Sequence, residues 1–292
     1  MQRNFWFTFL GVALAGSVFG QMKKQFVVEN PASCENIKLN LKANSGNCFI
    51  KPSQNPEILN VFSNQDEASY SHNFRKEIKG QTCEVFLNLE EEQSAGLSQS
   101  FSTNFWGEKS GGEKLWKMYL TESKPYVLEL NYGVGNANVD LSGLAIRKLK
   151  INTGSANVSV NYSSLENQVD MDTFYVKVDL GSVNVKSLNL SKTRNMIADV
   201  GFGNMFLDFS SKPLVSNHIK GSVGAGNLTI VLPTDDTPVL IKIHDSWLCS
   251  VKIPKNLKKI ADNTYASTSY TKEATQALTF DLDVSMGNII FK

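Results

Sequence analysis

The sequence predicts an all-β protein, a β-solenoid-like stack of short strands with Gly-Asn or Gly-Ser corners and little helix. Three observations predict it. Apolar and polar residues alternate in short runs along most of the chain, the period of a strand with one buried face. A glycine followed by such a run occurs seven times. The five central copies have their glycines at 135, 154, 181, 203 and 226, which lie 19, 27, 22 and 23 residues apart. Repeats of that length belong to stacked architectures, in which each unit buries its apolar face only against its neighbours.

Taken from the N-terminus, residues 1–20 (MQRNFWFTFLGVALAGSVFG) place Arg3 ahead of an apolar run from Phe5 to Ala15, then small residues. This is the pattern of a secretory signal peptide. The run is shorter than the ~20 residues a bilayer span needs, so the expected location is exported, whether periplasmic, outer-surface or secreted, with membrane contact peripheral at most. Residues 21–90 read as an N-terminal β segment with the runs FVVEN, IKLNLKAN, ILNVFS and CEVFLNLE. Residues 91–123 open with a polar, Ser- and Gly-rich, aperiodic stretch and are expected to form a loop or linker. Residues 124–292 are the repeat domain, with a helical turn expected around Leu257 to Ile260 and the last strands pairing back into the stack.

The repeat copies are SGNCFIK from Ser45, VGNANVDL from Val134, TGSANVSV from Thr153, LGSVNVKSL from Leu180, FGNMFLDF from Phe202, AGNLTIVL from Ala225 and MGNIIFK from Met286. Their corner glycines are Gly46, Gly135, Gly154, Gly181, Gly203, Gly226 and Gly287, each followed by Asn or Ser. Positions two and four beyond each glycine are apolar, hence inward-facing. Glycine is expected at these corners because it accepts positive φ where the backbone turns sharply. The Asn at 47, 136, 204, 227 and 288 would then recur at equivalent corners and could hydrogen-bond as a ladder. A nucleotide-binding reading of GVGNAN and GFGNMF fails, since the third glycine is missing and a strand pattern follows where a helix is required. No cofactor is expected.

The runs LELNYGVGNANVDLSGLAIRKLKINTGSANVSVNYSS, IVLPTDDTPVLIKI and YTKEATQALTFDLDVSMGNIIFK resemble bacterial toast-rack domains. That family includes adhesin-like proteins of unassigned function and the C-terminal domain of LiaF-type cell-wall-antibiotic response proteins. The resemblance covers about Lys124 to Lys292, with a weaker echo from Phe26 to Ser63. It implies a single-layered or twisted β-repeat at the cell envelope and carries over no catalytic residue. The chain departs from the LiaF-type pattern in having a signal peptide and no membrane-spanning bundle ahead of the domain.

Little in the composition names a chemistry. Lysine and arginine number 29 against 28 acidic residues, so no global field draws in nucleic acid. His72, His218 and His244 have no metal-ligand spacing, and the consecutive His244, Asp245 and Ser246 cannot assemble a triad from one strand. No metal site is expected. Asp140, Asp179, Asp208 and Asp283 adjoin repeat strands at differing offsets, which favours solvated faces over a calcium shelf. Cys34, Cys48, Cys83 and Cys249 contain no Cys-x-x-Cys; they are expected to form one or two structural disulfides, of open pairing, or to be buried thiols. Aromatic candidates for gripping a ligand are Phe105, Trp106, Trp116, Phe206 and Trp247.

The expected function is therefore non-enzymatic: an adhesin-like binding or structural module whose outer face meets an envelope protein or surface polysaccharide. A regulatory subunit of an envelope-stress response is the alternative. A carbohydrate-active enzyme is the third reading, with Asp170 and Asp172 as the nearest pair of carboxylates.

Overall fold

The computed structural model describes residues 22–65, 72–90, 113–163 and 165–292. Seven strands open the described chain: β1 (Lys23–Val28), β2 (Asn36–Ala43), β3 (Asn47–Ser53), β4 (Leu59–Ser63), β5 (His72–Lys79), β6 (Thr82–Leu89) and β7 (Leu115–Thr121). The repeats follow as β8 (Pro125–Tyr132), β9 (Asn136–Asp140), β10 (Ala145–Thr153), β11 (Asn157–Asn161), β12 (Met171–Val178), β13 (Ser182–Val185), β14 (Thr193–Val200), β15 (Asn204–Asp208), β16 (Asn217–Val223) and β17 (Asn227–Val231). The C-terminal part adds β18 (Val239–Asp245), β19 (Ser250–Lys252), β20 (Lys258–Ala261), β21 (Thr264–Ala266), β22 (Leu278–Val284) and β23 (Asn288–Phe291).

The chain alternates between two sheets, one of eleven strands and one of twelve. A strand of the larger sheet runs to a corner, turns, and continues as a strand of the smaller sheet, so each rung is a pair such as β8–β9 or β14–β15. Adjacent rungs pair in parallel in both sheets. One continuous hydrophobic core lies between the sheets, so of the single-layered or twisted repeat implied by the resemblance, the single-layered form is replaced by two layers.

Alternation decides which side chains enter that core. In the smaller sheet Trp116, Cys48, Ala137, Val158, Val183, Met205, Leu228 and Ile289 align across successive strands in one buried row. A second row, Met118, Ile50, Val139, Val160, Val185, Leu207, Ile230 and Phe291, runs beside it. Each such side chain loses its water contact to neighbours on its own sheet and the facing one, roughly 1.5–3 kcal/mol for a Val, Leu or Ile.

Rung order departs from chain order at both ends. The pair β2–β3 lies between β6–β7 and β8–β9, and the final pair β22–β23 inserts between β16–β17 and β18–β19. The first strands thus share both sheets with the repeats, and the C-terminus does pair back into the stack. Antiparallel strands close the ends: β1 and β4 on one sheet, β5 on the other, and β20 with β21 at the far end.

Three expectations are corrected. Residues 115–121 are strand β7 rather than linker, because Trp116, Met118 and Leu120 alternate into the core. Lys258–Ala261 pairs with β21 as a strand rather than forming a helical turn; among the described residues a short 3-10 turn is found at Leu188–Ser191. His72 opens β5 instead of lying in a loop. Among the described residues no helix is long and apolar enough to cross a membrane.

Candidate functional site

The repeat corners are the most regular part of the surface. Cross-strand register puts Gly46, Gly135, Ala156, Gly181, Gly203, Gly226 and Gly287 at one equivalent position, immediately before the first residue of β3, β9, β11, β13, β15, β17 and β23. Gly154 falls two residues earlier, aligned with Gly133, so Asn157 rather than Ser155 is its rung's equivalent of Asn136. The reason glycine is needed also differs along the row. Gly46 and Gly135 have φ of +101° and +111°, as a sharp turn requires. Gly203 does not; a Cβ there would stand 2.4 Å from the Gly181 carbonyl oxygen, so close stacking of rungs is what excludes a side chain.

One residue beyond the glycine runs the amide ladder. Asn136 Nδ2 donates to Asn47 Oδ1 at 2.9 Å, Asn227 Nδ2 to Asn204 Oδ1 at 2.8 Å and Asn288 Nδ2 to Asn227 Oδ1 at 2.7 Å. Ser182 Oγ continues the pattern by donating to Asn157 Oδ1 at 2.6 Å, and Asn47 Nδ2 reaches Glu113 Oε2 at 2.9 Å.

One residue before the glycine, the side chain points to solvent, and there the chain carries Val134, Leu180, Phe202, Ala225 and Met286. The next corner, between β18 and β19, has one extra residue and places Trp247 and Leu248 beside Met286; Asp245 aligns with Val284 and Ser250 with Asn288. Leu180, Phe202, Met286 and Trp247 are 58–90% exposed. Five consecutive rungs, from the Leu180 corner to the Trp247 corner, thus present an apolar ridge about 19 Å long at the usual strand spacing of about 4.8 Å. Its backbone is held: the N–H groups of Leu180, Phe202, Ala225 and Met286 donate to carbonyls of the preceding rung at 2.7–2.9 Å. Contiguous exposed apolar surface of this kind marks interaction sites.

A second feature lies on the outer face of the larger sheet near β5. A groove of about 710 Å³ is lined by Asn40, Lys42, Arg75, Phe86, Asn88 and Asn131, with Leu41, Phe74 and Leu87 beneath. The Arg75 guanidinium sits over the Phe86 ring, 4.4 Å from its centre, and its Nε is 3.0 Å from Glu77. Lys42 pairs with Glu90, and that bond, with others from Asn88 and Asn44, holds the Glu90 carboxyl below its ordinary value. Asn40 Nδ2 and Asn88 Oδ1 are buried with no hydrogen-bond partner among the described residues. A buried amide atom without a partner is unusual and calls for a water or a polar ligand atom to reach it.

A family model described as the N-terminal domain of toast_rack, DUF2154, matches residues 19–186. The chain belongs to the toast-rack family. The match spans β1 to β13 and so includes the groove and the corners of Val134 and Leu180. No curated protein matches the chain. The solved structure of a putative cell adhesion protein from Clostridium sporogenes is similar at 18% identity over 93% of this chain and 98% of that one, with a TM-score of 0.46.

Against this toast-rack frame the candidate aromatics separate. Trp247 is the most exposed large apolar side chain of the ridge, and Phe206 lies outward and half-buried on β15 between Asn184 and Thr229. Trp116 is buried beside Cys48, because its place in the β7 alternation faces inward; it is not a surface group. Phe105 and Trp106 lie outside the described residues. Asp170 is engaged by Arg194, and among the described residues no three His, Cys, Asp or Glu side chains gather as a metal site. His244 Nε2 is 3.0 Å from Asp281 on an exposed strand face.

No disulfide joins the four cysteines in the structure. Cys48 and Cys249 cannot pair, since β3 and β19 are seven strand spacings apart, about 34 Å. Burial pushes the Cys48 thiol up to about 12, which makes it chemically inert.

Of the ridge only Trp247 was among the candidate aromatics, and the groove was not expected from the sequence. Their signals were present: an apolar residue directly before the corner glycine in VG, LG, FG and MG, and Asn at the outward place of Leu39-Asn40-Leu41, Leu87-Asn88-Leu89 and Leu130-Asn131-Tyr132.

Proposed function

We propose that the chain is an exported, non-enzymatic binding module of the envelope that docks a partner protein along the apolar corner ridge. The observation that carries this reading is that Leu180, Phe202, Met286 and Trp247 occupy four of five consecutive rungs, exposed and, at the first three, with a hydrogen-bonded backbone beneath. A preformed surface loses little conformational entropy on binding, which favours association. Mixed aliphatic, thioether and aromatic side chains suit a protein surface better than a sugar ring. Export is supported by the pattern of residues 1–20.

A second reading, glycan binding, is favoured by the outer groove itself, where buried amide atoms of Asn40 and Asn88 lack partners beneath its surface. One experiment separates the two. Immobilised chain of residues 21–292 is exposed to envelope extract, and retained proteins and glycans are identified by mass spectrometry. Phe202→Ser with Trp247→Ser should abolish capture of a protein partner, whereas Asn40→Ala with Asn88→Ala should leave it intact. Retention of glycan alone, lost in the asparagine variant and kept in the ridge variant, would replace the first reading by the second. Capture equal in both variants would overturn both.

A further inference from the structure

The chain's own thiols carry an inference independent of what it binds. Cys83 is the second residue of β6 and faces the core, paired across the sheet with Ile37 of β2. Cys34 lies three residues before Ile37, at the end of a turn in which its N–H donates to the Pro31 carbonyl at 3.1 Å. The segment after it is pinned to the β5–β6 turn, because the N–H groups of Glu35 and Asn36 both donate to the Gln81 carbonyl, at 2.8 and 3.1 Å. From the other side Lys124 Nζ donates to the carbonyl oxygens of Pro31 and Cys34. These bonds hold Cys34 against the start of β6. Both cysteines are fully buried, and the Cys34 thiol lies alongside that of Cys83.

We infer that Cys34 and Cys83 are the disulfide of this protein, and that Cys48 and Cys249 stay reduced. The other pairings fail on distance. Cys34 precedes β2 while Cys48 follows the corner beyond its far end, a separation of about 23 Å along a strand of this length. Cys249 sits at the opposite end of the stack, partly buried beside the β18–β19 corner. Bridged cysteines need Cα atoms within about 7 Å, and the pair brought together at the start of β6 is the one placed to meet this.

The chemistry requires a disulfide-bearing co-reactant, such as oxidised glutathione or a protein disulfide. One cysteine thiolate attacks a sulfur of that co-reactant, forming a mixed disulfide and releasing one thiol. The second cysteine thiolate then attacks the protein's sulfur of the mixed disulfide and releases the second thiol. Two protein thiols lose two protons and two electrons, and the co-reactant gains the electrons as two thiols. Timing follows from burial. Desolvation, with the Cys34 thiol alongside, raises the Cys83 thiol to about 11, so its thiolate is scarce near neutral pH once the core has closed. The bond therefore forms during folding, while both sulfurs still meet solvent.

The test refolds the full chain from a reduced, denatured state with a reduced and oxidised glutathione mixture, then alkylates it in denaturant without reductant and maps peptides by mass spectrometry. The expected result is one linked peptide pair containing Cys34 and Cys83, separated by reductant, with Cys48 and Cys249 alkylated. Four alkylated cysteines, or any other linked pair, would overturn the assignment. Unfolding midpoints give a second readout: wild type should lose resistance to denaturant when reductant is added, while Cys34→Ser with Cys83→Ser should show the same midpoint with and without it. A wild-type midpoint insensitive to reductant would count against the bond even if traces of linked peptide appeared.

Discussion

Substituting Gly203 by alanine tests whether the corners are held by rung stacking or by turn conformation. The added Cβ would lie 2.4 Å from the Gly181 carbonyl oxygen and 2.8 Å from Val178 Cγ2, where ordinary contact begins at 3.4 Å. The rungs must open by about 1 Å, and two bonds cross that gap: Asn204 N–H to the Gly181 carbonyl and Gly203 N–H to the Asp179 carbonyl, both 3.0 Å. Overpacking of this kind costs about 1–3 kcal/mol and each lost hydrogen bond about 1 kcal/mol, so the expected loss is about 3–5 kcal/mol. That is a large part of the ~5–15 kcal/mol by which domains are folded. The assay is equilibrium urea unfolding followed by circular dichroism, with Gly80→Ala as the comparison. Gly80 has φ +58° but nothing within 4 Å of its added methyl, so only the conformational cost of about 1–2 kcal/mol applies there. A Gly203→Ala midpoint equal to wild type, or shifted less than that of Gly80→Ala, would refute the stacking argument.

Other perturbations have separate readouts. Asn227→Ala removes the residue that both donates to Asn204 and accepts from Asn288, and should lower stability by about 1–2 kcal/mol in the same urea assay, whereas Asn138→Ala, outside the ladder, should change it little. Trp116→Ala should cost about 3–5 kcal/mol as a buried aromatic truncation and should quench the tryptophan fluorescence change on unfolding. Burial raises the phenol pKa of Tyr126, Tyr132 and Tyr162. Since the folded values lie above the unfolded value of about 10, the stability linked to them is complete below that pH and falls as pH rises toward the folded values, by up to about 1.4 kcal/mol per pH unit for each group. Alkaline unfolding should coincide with the appearance of these phenolates in absorbance, and Tyr126→Phe should make the transition shallower by one proton.

Strand faces were legible because period two needs no tertiary information: Val176 and Val178, or Leu278, Phe280 and Leu282, face inward as their alternation requires. Register was less so. TGSANVSV matches the glycine motif in composition, yet its glycine stands two residues early, and only the asparagine at 157 marks the true alignment with 136 and 204. Strand order at the ends was not legible either. Nothing local in TFDLDVSMGNIIF says that β22–β23 inserts before the rung preceding it in sequence, because any inward-facing alternating pair satisfies the same core. β7 was hidden by the aperiodic stretch ahead of it. The groove escaped because its residues come from β2, β5, β6 and β8, brought together only by the rung exchange.

The ridge raises a question that folding energetics alone does not answer. A side chain one place before the corner glycine contributes nothing to the core, and the fold accepts Ser45, Ser155 and Ala225 at that place without change of register. Leu180, Phe202, Met286 and Trp247 therefore are not required by the stack, and exposing them lowers solubility. Their apolar character is explained if another surface covers them. Replacing Leu180, Phe202 and Met286 together by serine should then leave the unfolding free energy from urea titration within about 0.5 kcal/mol of wild type, as surface substitutions do, while abolishing partner capture. A large fall in stability would show that the ridge packs against the chain itself, and unchanged capture would show that the partner docks elsewhere; either result would remove the reason for assigning binding to the corners.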